Sequence, residues 1–509
     1  MVDGSRPARS TSGRQLTRRT GYDGQEPWGG LLLAALCVVL VVVPLPLGSN
    51  RPWAWTVLET VVFALVATWA LTGIRRARWP PMTARLALAA MAVWLLYGAL
   101  YLVPLPASTV QFLAPKVYAA YHQAMGIVGD PGSGYYLSLD RQASLQAVLK
   151  YAMYGAAFLL VTVLVTSRTR LKVMLYTVLA AGVIEVALAL GAKAMGVDLT
   201  PRSLMDGQWS VLRGTFVNRN DFAIFLAMSS GAGIGLALAH VDRSYLGSSF
   251  KARVLGILDR LEGSVLVPAA AVVLMLAGMV MSTSRGGITA LAVALILVLT
   301  LSVVARGRQA RELLLLWPLG VVVLVGALWS GSRTLLGRLA NSGVGAGERW
   351  VQWSGTKDLI LDHWLTGTGP GTYQYAFTAY KDAALRPLLY DHAHNDYLEL
   401  LSGQGVVGAA LLGLVVAIVL YGVCRAFMTR RDPLIRGALF ASLTGMLAML
   451  VHALVAFSFR IPATALYFWV LAGVGLASAR LGRETPDPYR TSHRSGSRRR
   501  RGRERNKFG

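Results

Sequence analysis

The sequence predicts an all-α, polytopic membrane protein: a bundle of about 12 helices with a large loop on one face that carries short helices of its own. Three observations predict it. Of 509 residues, 54% are hydrophobic and only 15% charged, against about 25% charged in soluble domains. Runs such as "GGLLLAALCVVLVVVPLPLG" (29–48) and "GGITALAVALILVLTLSVVA" (286–305) carry no charge over the roughly twenty residues a spanning helix needs. The connectors between such runs alternate between short basic ones and a second, longer kind.

The elements follow in order. Residues 1–28 form a basic, polar arm expected in the cytoplasm. The run behind it reads as a span and not as a cleaved signal, because no small-residue cleavage site follows before the next apolar segment. Apolar runs lie at 29–48, 53–73, 83–103, 147–167, 172–192, 221–240, 264–282, 286–305, 312–331, 405–424, 435–457 and 461–480. An even number of spans places both termini on one side. "GIRRARW", "SRTRLK", "ARGRQAR", "CRAFMTRRDPLIR", the 241–262 connector and both tails are basic, which assigns them to the cytoplasm. The opposite face receives 104–146, 193–220, the tight link "STSRGG" and the largest loop, 332–404.

The net charge of +25 and the tail "HRSGSRRRRGRERNK" (493–507) raise nucleic acid as a partner. The tail has no aromatic residues between its basic ones and directly follows a membrane domain, 29–481. Residues 482–509 are therefore expected to be a disordered cytoplasmic segment that sets topology and faces anionic membrane lipids, with no nucleic-acid role. Cys37 lies inside one apolar run and Cys424 at the end of another, so no disulfide framework is implied.

One departure from the charge rule is informative. Outer connectors should be poor in arginine, yet they hold Arg202, Arg213, Arg219, Arg285, Arg333, Arg338, Arg349, Arg386 and Arg460. Some of these serve salt bridges to loop carboxylates. The physical use that would keep others is binding an anion, since a guanidinium pairs with phosphate through two parallel hydrogen bonds. Arg285 stands out because its link is too short to carry it far from the membrane boundary, where a charge is a functional candidate. Glu59 and Glu185 lie within apolar runs, and Lys193 and His452 near the ends of theirs; interhelical pairing explains them equally well.

The stretch "YDHAHNDYLELLSGQGVVG" (390–408) holds the candidate chemistry. His392 and His394, with His363 upstream, leave a metal site open, but i, i+2 spacing in a loop is weakly specific for metal. Asn395 or Asp396 suits the N-cap of the helix that follows. A histidine here could also take a proton from an attacking hydroxyl near neutral pH. "TGTGPGTY" (366–373) superficially resembles a phosphate loop, yet lacks the strand, helix and Lys-Ser/Thr context. It reads as a turn that lets the backbone bend near the membrane.

"HNDYLELLSGQGVVG" resembles the His-Asn, nine residues, Gly-x-x-Gly signature of the O-antigen ligase and polymerase superfamily, of the Wzy C-terminal type. "RGTFVNRNDFA" (213–223) is similar to that family's Arg-Gly-x-Phe-x-Asn-x-Asn-x-x-Ala segment, and "STSRGG" (282–287) to its Ser-Arg-Gly link. "ERWVQW" followed by "WLTGTGPGTYQY" resembles the first part of its large loop. These similarities run over 210–425. The resemblance implies a membrane glycosyltransferase, GT-C-like and independent of nucleotide, metal or other cofactor. It would act at the periplasmic face of a bacterial inner membrane, passing a glycan from undecaprenyl diphosphate to an acceptor sugar hydroxyl, such as one on lipid A core or another glycan. By motif, Arg213 and Arg285 would bind the diphosphate, with Arg349 as a third arginine, and His394 would activate or orient the acceptor. Glu399 could orient His394 or pair with a loop arginine. Asn218 and Asn220 would shape the 213 loop, and Asn395 the start of the following helix. The motifs do not separate a ligase from a polymerase of exopolysaccharide type; the His-Asn spacing favours the ligase. A twelve-helix transporter is the rival of another class, and the asymmetry of the loops argues against the two similar halves it would show.

Overall fold

The computed structural model describes residues 27–73, 80–128, 134–200, 211–240, 263–306, 344–382, 385 and 389–481. The expected span at 312–331, both tails, and Arg202, Arg333, Arg338 and Arg386 lie outside the described residues.

Within them the chain is all-helical apart from one isolated bridge between Leu105 and Tyr135. Ten helices are long and apolar enough to cross a membrane. After the shorter apolar α1 (Pro27–Val42), α2 (Pro52–Gly73) and α3 (Met82–Leu100) lead to two surface helices, α4 (Ala107–Leu113) and α5 (Pro115–Val128). Then come α6 (Arg141–Leu164), α7 (Arg168–Ala194), α8 (Arg219–His240), α9 (Gly263–Met281) and α10 (Arg285–Arg306). The large loop contributes α11 (Val344–Asp362) and the turns Tyr373–Ala376 and Phe377–Tyr380. The chain closes with α12 (Asp396–Thr429), α13 (Pro433–His452) and α14 (Pro462–Leu481).

Polar residues at the helix starts satisfy the first free backbone donors. Asp140 accepts the Ala143 N–H (2.9 Å), Ser167 the Arg170 N–H (3.2 Å) and Asp432 the Ile435 N–H (3.1 Å). Asn395 accepts the Tyr397 and Leu398 N–H groups at 3.0 and 3.2 Å, the cap its residue type predicts.

The centre of the bundle is α8, α13 and α14, which are buried along most of their length, while α2, α3 and α9 keep apolar side chains exposed at the periphery. The α8–α13 crossing is close because both helices present glycine there. A Cβ at Gly235 would run into the Gly437 carbonyl, and the converse holds at Gly437. Small residues at such a crossing let helix backbones approach, as packing within a membrane requires.

The structure corrects several expected boundaries. The first helix stops at Val42, because Pro44 and Pro46 cannot continue it. The run expected to span to 457 ends as helix at His452. Residues 453–461 form a structured turn, although "ALVAFSF" is as apolar as a span. Asn395 caps a short helix from Asp396, and a break at Gly405 (φ 62°) separates it from the span that follows, so α12 holds both.

Candidate functional site

Five stretches meet at one end of the bundle, and hydrogen bonds between them define the site. The first is 211–221. Leu212 N–H donates to Met281 O (3.3 Å). Thr215 N–H and Oγ1 donate to the two oxygens of Glu185 (3.1 and 2.9 Å). The buried Glu185 therefore anchors the turn that carries Arg213. Asn218 Oδ1 accepts the Asn220 N–H (2.9 Å) and its carbonyl accepts the Asp221 N–H (3.1 Å), a local turn that starts α8.

The second stretch is the 281–287 link. Ser284 Oγ donates to Asn220 Oδ1 (2.8 Å) and accepts the Gly287 N–H (3.4 Å), while Arg219 Nη1 donates to Thr283 Oγ1 (2.9 Å). The segment with Arg213 is thus bonded directly to the link with Arg285, the first residue of α10. Both arginines are half-buried.

The third and fourth stretches, 390–399 and 452–460, are locked together. Asp396 N–H donates to Ala453 O (2.9 Å) and Asp396 Oδ2 accepts the Phe459 N–H (3.0 Å). Glu399 Oε1 lies 3.0 Å from Arg460 Nε and 3.0 Å from His392 Nδ1, and its Oε2 accepts the Ala393 N–H (3.0 Å). Phe457 stacks on the His392 ring (centroids 4.5 Å) and meets the His394 ring edge-on (4.9 Å). Ser458 Oγ donates to Asp221 Oδ1 (2.6 Å) and lies 3.2 Å from His452 Nδ1, whose ring packs on Gly286. The histidine loop and the arginine-bearing segments are therefore joined through the 457–458 turn.

The fifth stretch is α11. Gln352 Nε2 donates to His392 O (2.8 Å) and Trp353 Nε1 to Ala393 O (2.9 Å). Arg349 precedes them by three and four positions, which puts it on the same helix face; it is exposed.

Arg460 is the ion-paired cation of the cluster, with its side chain 15% exposed. Burial alone would lower the pKa of its guanidinium, but Tyr151, Glu399 and Asp396 around it hold it above the usual arginine range. Its Nη1 donates to Tyr151 OH (2.7 Å). His363 lies away from this cluster, beside Tyr380, and burial lowers its pKa. Among the described residues no three His, Cys, Asp or Glu side chains are grouped as metal ligands.

The "TGTGPGT" segment clamps the start of α12. Thr368 N–H and Gly369 N–H donate to Ser402 O and Gly403 O (2.9 and 2.8 Å), and Val406 N–H donates to Trp364 O (2.8 Å). The kink explains the first glycine of the Gly-x-x-Gly pair: Gly405 has φ 62°, and a Cβ there would meet the Leu365 carbonyl. Only glycine takes such a backbone so close to another chain segment without strain.

The site residues expected from sequence thus fall in one region: Arg213, Asn218 and Asn220 in the first stretch, Arg285 in the second, His394, Asn395 and Glu399 in the third, and Arg349 on α11. Glu399 takes His392 and Arg460 as its partners. Sequence reasoning counted Arg460 only among the outer arginines, and took Phe457 as part of a span. The roles of Ser458, Asp221 and Glu185 were also not foreseen. Glu185 had been marked in sequence as an acidic residue within an apolar run, without its partner; Asp221, at the edge of the 221–240 run, carried no such mark.

Residues 270–413 match the family model described as O-antigen ligase. The matched stretch takes in the Arg285 link, α11, the clamp and the His394 segment, and stops before the 452–460 turn. That stretch is therefore similar to the O-antigen ligase family, in the region where the motifs resemble it. No curated protein matches the chain.

Proposed function

On the premise of that family similarity, we propose that the protein transfers a glycan from undecaprenyl diphosphate to an acceptor sugar hydroxyl, acting as a ligase at the periplasmic face of the inner membrane with both termini in the cytoplasm. The observation that carries this reading is the joining of the Arg213, Arg285 and His394 segments into one hydrogen-bonded cluster. Arg213 and Arg285, with Arg349 from α11, bind the diphosphate, so that positive charge stands where negative charge grows on the leaving group. His394 engages the acceptor hydroxyl, and Asn218, Asn220 and Asn395 hold the turns that present these groups.

An apolar cavity of about 420 Å3 beside the cluster supports the reading. Trp94, Leu400, Leu412, Val416, Leu450 and Trp469 help line it, and Asp396 and Arg460 stand at its polar end. Such walls suit an uncharged hydrocarbon chain, which would leave the diphosphate to the other arginines.

The test is reconstitution of the full-length protein in liposomes with an undecaprenyl-diphosphate glycan and candidate acceptors. A ligase yields a glycan on a new anchor, such as lipid A core. Chain growth on the original undecaprenyl anchor would replace ligase by polymerase. No product with any acceptor would remove glycan transfer and return transport to consideration.

A further inference from the structure

We propose that His392, paired with the buried Glu399, takes the proton of the acceptor hydroxyl during transfer, while His394 orients that hydroxyl. The inference rests on the glycan-transfer reading and assigns the proton-accepting step within it to the other histidine.

The geometry is that of a carboxylate–imidazole dyad. His392 Nδ1 lies 3.0 Å from Glu399 Oε1. A carboxylate accepts hydrogen bonds and does not donate them, so Nδ1 carries the hydrogen and the lone pair is left on Nε2. Glu399 cannot turn away from the ring. It is 4% exposed, its second oxygen holds the Ala393 N–H (3.0 Å), and Arg460 Nε sits 3.0 Å from the first. The imidazole is fixed as well. Phe457 stacks on it at 4.5 Å with 20° between the planes, and Gln352 holds its carbonyl oxygen (2.8 Å).

One side of the ring stays open. The His392 side chain is 27% exposed, and among the described residues Nε2 has no partner. The charged groups that interact with the ring are Glu399 on α12 and Asp221 at the start of α8; Arg460 on the 458–460 turn pairs with Glu399 and with Asp396 behind it, and His394 meets another edge of Phe457. Asp221 belongs to the segment with Asn220 and Arg213, so that segment reaches the surroundings of the His392 ring. Ala393 N–H and Arg460 also hold Glu399, so the carboxylate keeps its place without the imidazole.

In the step itself the acceptor O–H proton passes to His392 Nε2 and the oxygen lone pair forms the new bond at the anomeric carbon. The bond from that carbon to the phosphate oxygen breaks, and its electron pair leaves on the lipid diphosphate. The imidazolium, stabilised by Glu399, then releases its proton to solvent on its open side.

The test uses the full-length protein in liposomes with an undecaprenyl-diphosphate glycan and an acceptor that the wild type uses. His392→Gln and His392→Ala should lower kcat about 10²–10⁴-fold, the size of a general-base contribution, with the KM for donor little changed. Added imidazole should restore His392→Ala and leave His394→Ala unrestored, an outcome that a lost structural contact would not produce. His392→Gln with wild-type kcat overturns the proposal. So does a His392→Ala protein that imidazole fails to restore, or restoration of His394→Ala alone. A wild type without transfer activity overturns the glycan-transfer reading beneath it.

Discussion

At the scale of single residues, the cluster divides into the arginines proposed to bind the diphosphate and one that is paired within the protein. Arg460 is enclosed by Glu399, Asp396 and Tyr151, and burial of a charge is tolerated only with such partners. Arg213 and Arg285 are half-buried at the edge of the same cluster, where an incoming anion can reach them. Arg285→Ala and Arg213→Ala should therefore abolish transfer in the reconstituted assay while the proteins still accumulate in the membrane. Arg285→Lys should recover part of the activity, since it keeps the charge and loses the two-pronged geometry. His394→Ala should abolish transfer as well. Full transfer by any of the alanine variants would remove that residue from the site. Arg213 and Arg285 could be singled out in sequence because arginine in an outer connector breaks the orientation bias, and His394 because its stretch resembles the His-Asn motif. The roles of Phe457, Ser458 and Arg460 were not legible, because a turn of apolar residues has the hydropathy of a span.

At the scale of elements, the kink in α12 decides where the histidine loop stands. Residues before Gly405 pack under the "TGTGPGT" clamp, and residues after it enter the apolar run. Trp94 Nε1 donates to Gln404 Oε1 (2.8 Å) and Tyr97 OH to Gln404 O (2.9 Å), so α3 braces the same point. Gly405→Ala should destabilise the protein by roughly 1–3 kcal/mol, the cost of a strained backbone, with a further penalty from contact with the Leu365 carbonyl. Thermal unfolding in detergent would measure it, and an unchanged Tm would show that the kink relaxes freely. The glycine pattern was visible in sequence as a turn signal. Its pairing with residues 402–406 was not, because hydrogen bonds between distant segments leave no local periodicity.

At the scale of the whole molecule, the ends of successive helices return to one face, where Met281, Arg285, Asp396, His452 and Pro462 all stand close to the cluster. Arg349 belongs to this face, whereas Arg430 ends α12 far from it and donates from Nη2 to Ala479 O (2.9 Å). Single cysteines at 349 and 430, in a chain lacking Cys37 and Cys424, should label from opposite sides of intact cells. Labelling from the same side would overturn the orientation proposed for the site.

The sequence by itself determined the class of the protein, the approximate place of its described spans and the segments of its candidate site. These depend on composition, charge and local motifs, which a bilayer reads one segment at a time. Only the tertiary structure decided which groups stand together: Glu185 under the Arg213 turn, Ser458 on Asp221, and Glu399 between Arg460 and His392. Each set includes a contact between segments far apart in the chain, made where the bundle packs closely. Buried polar groups there must find partners or cost free energy, and that requirement selects the partner.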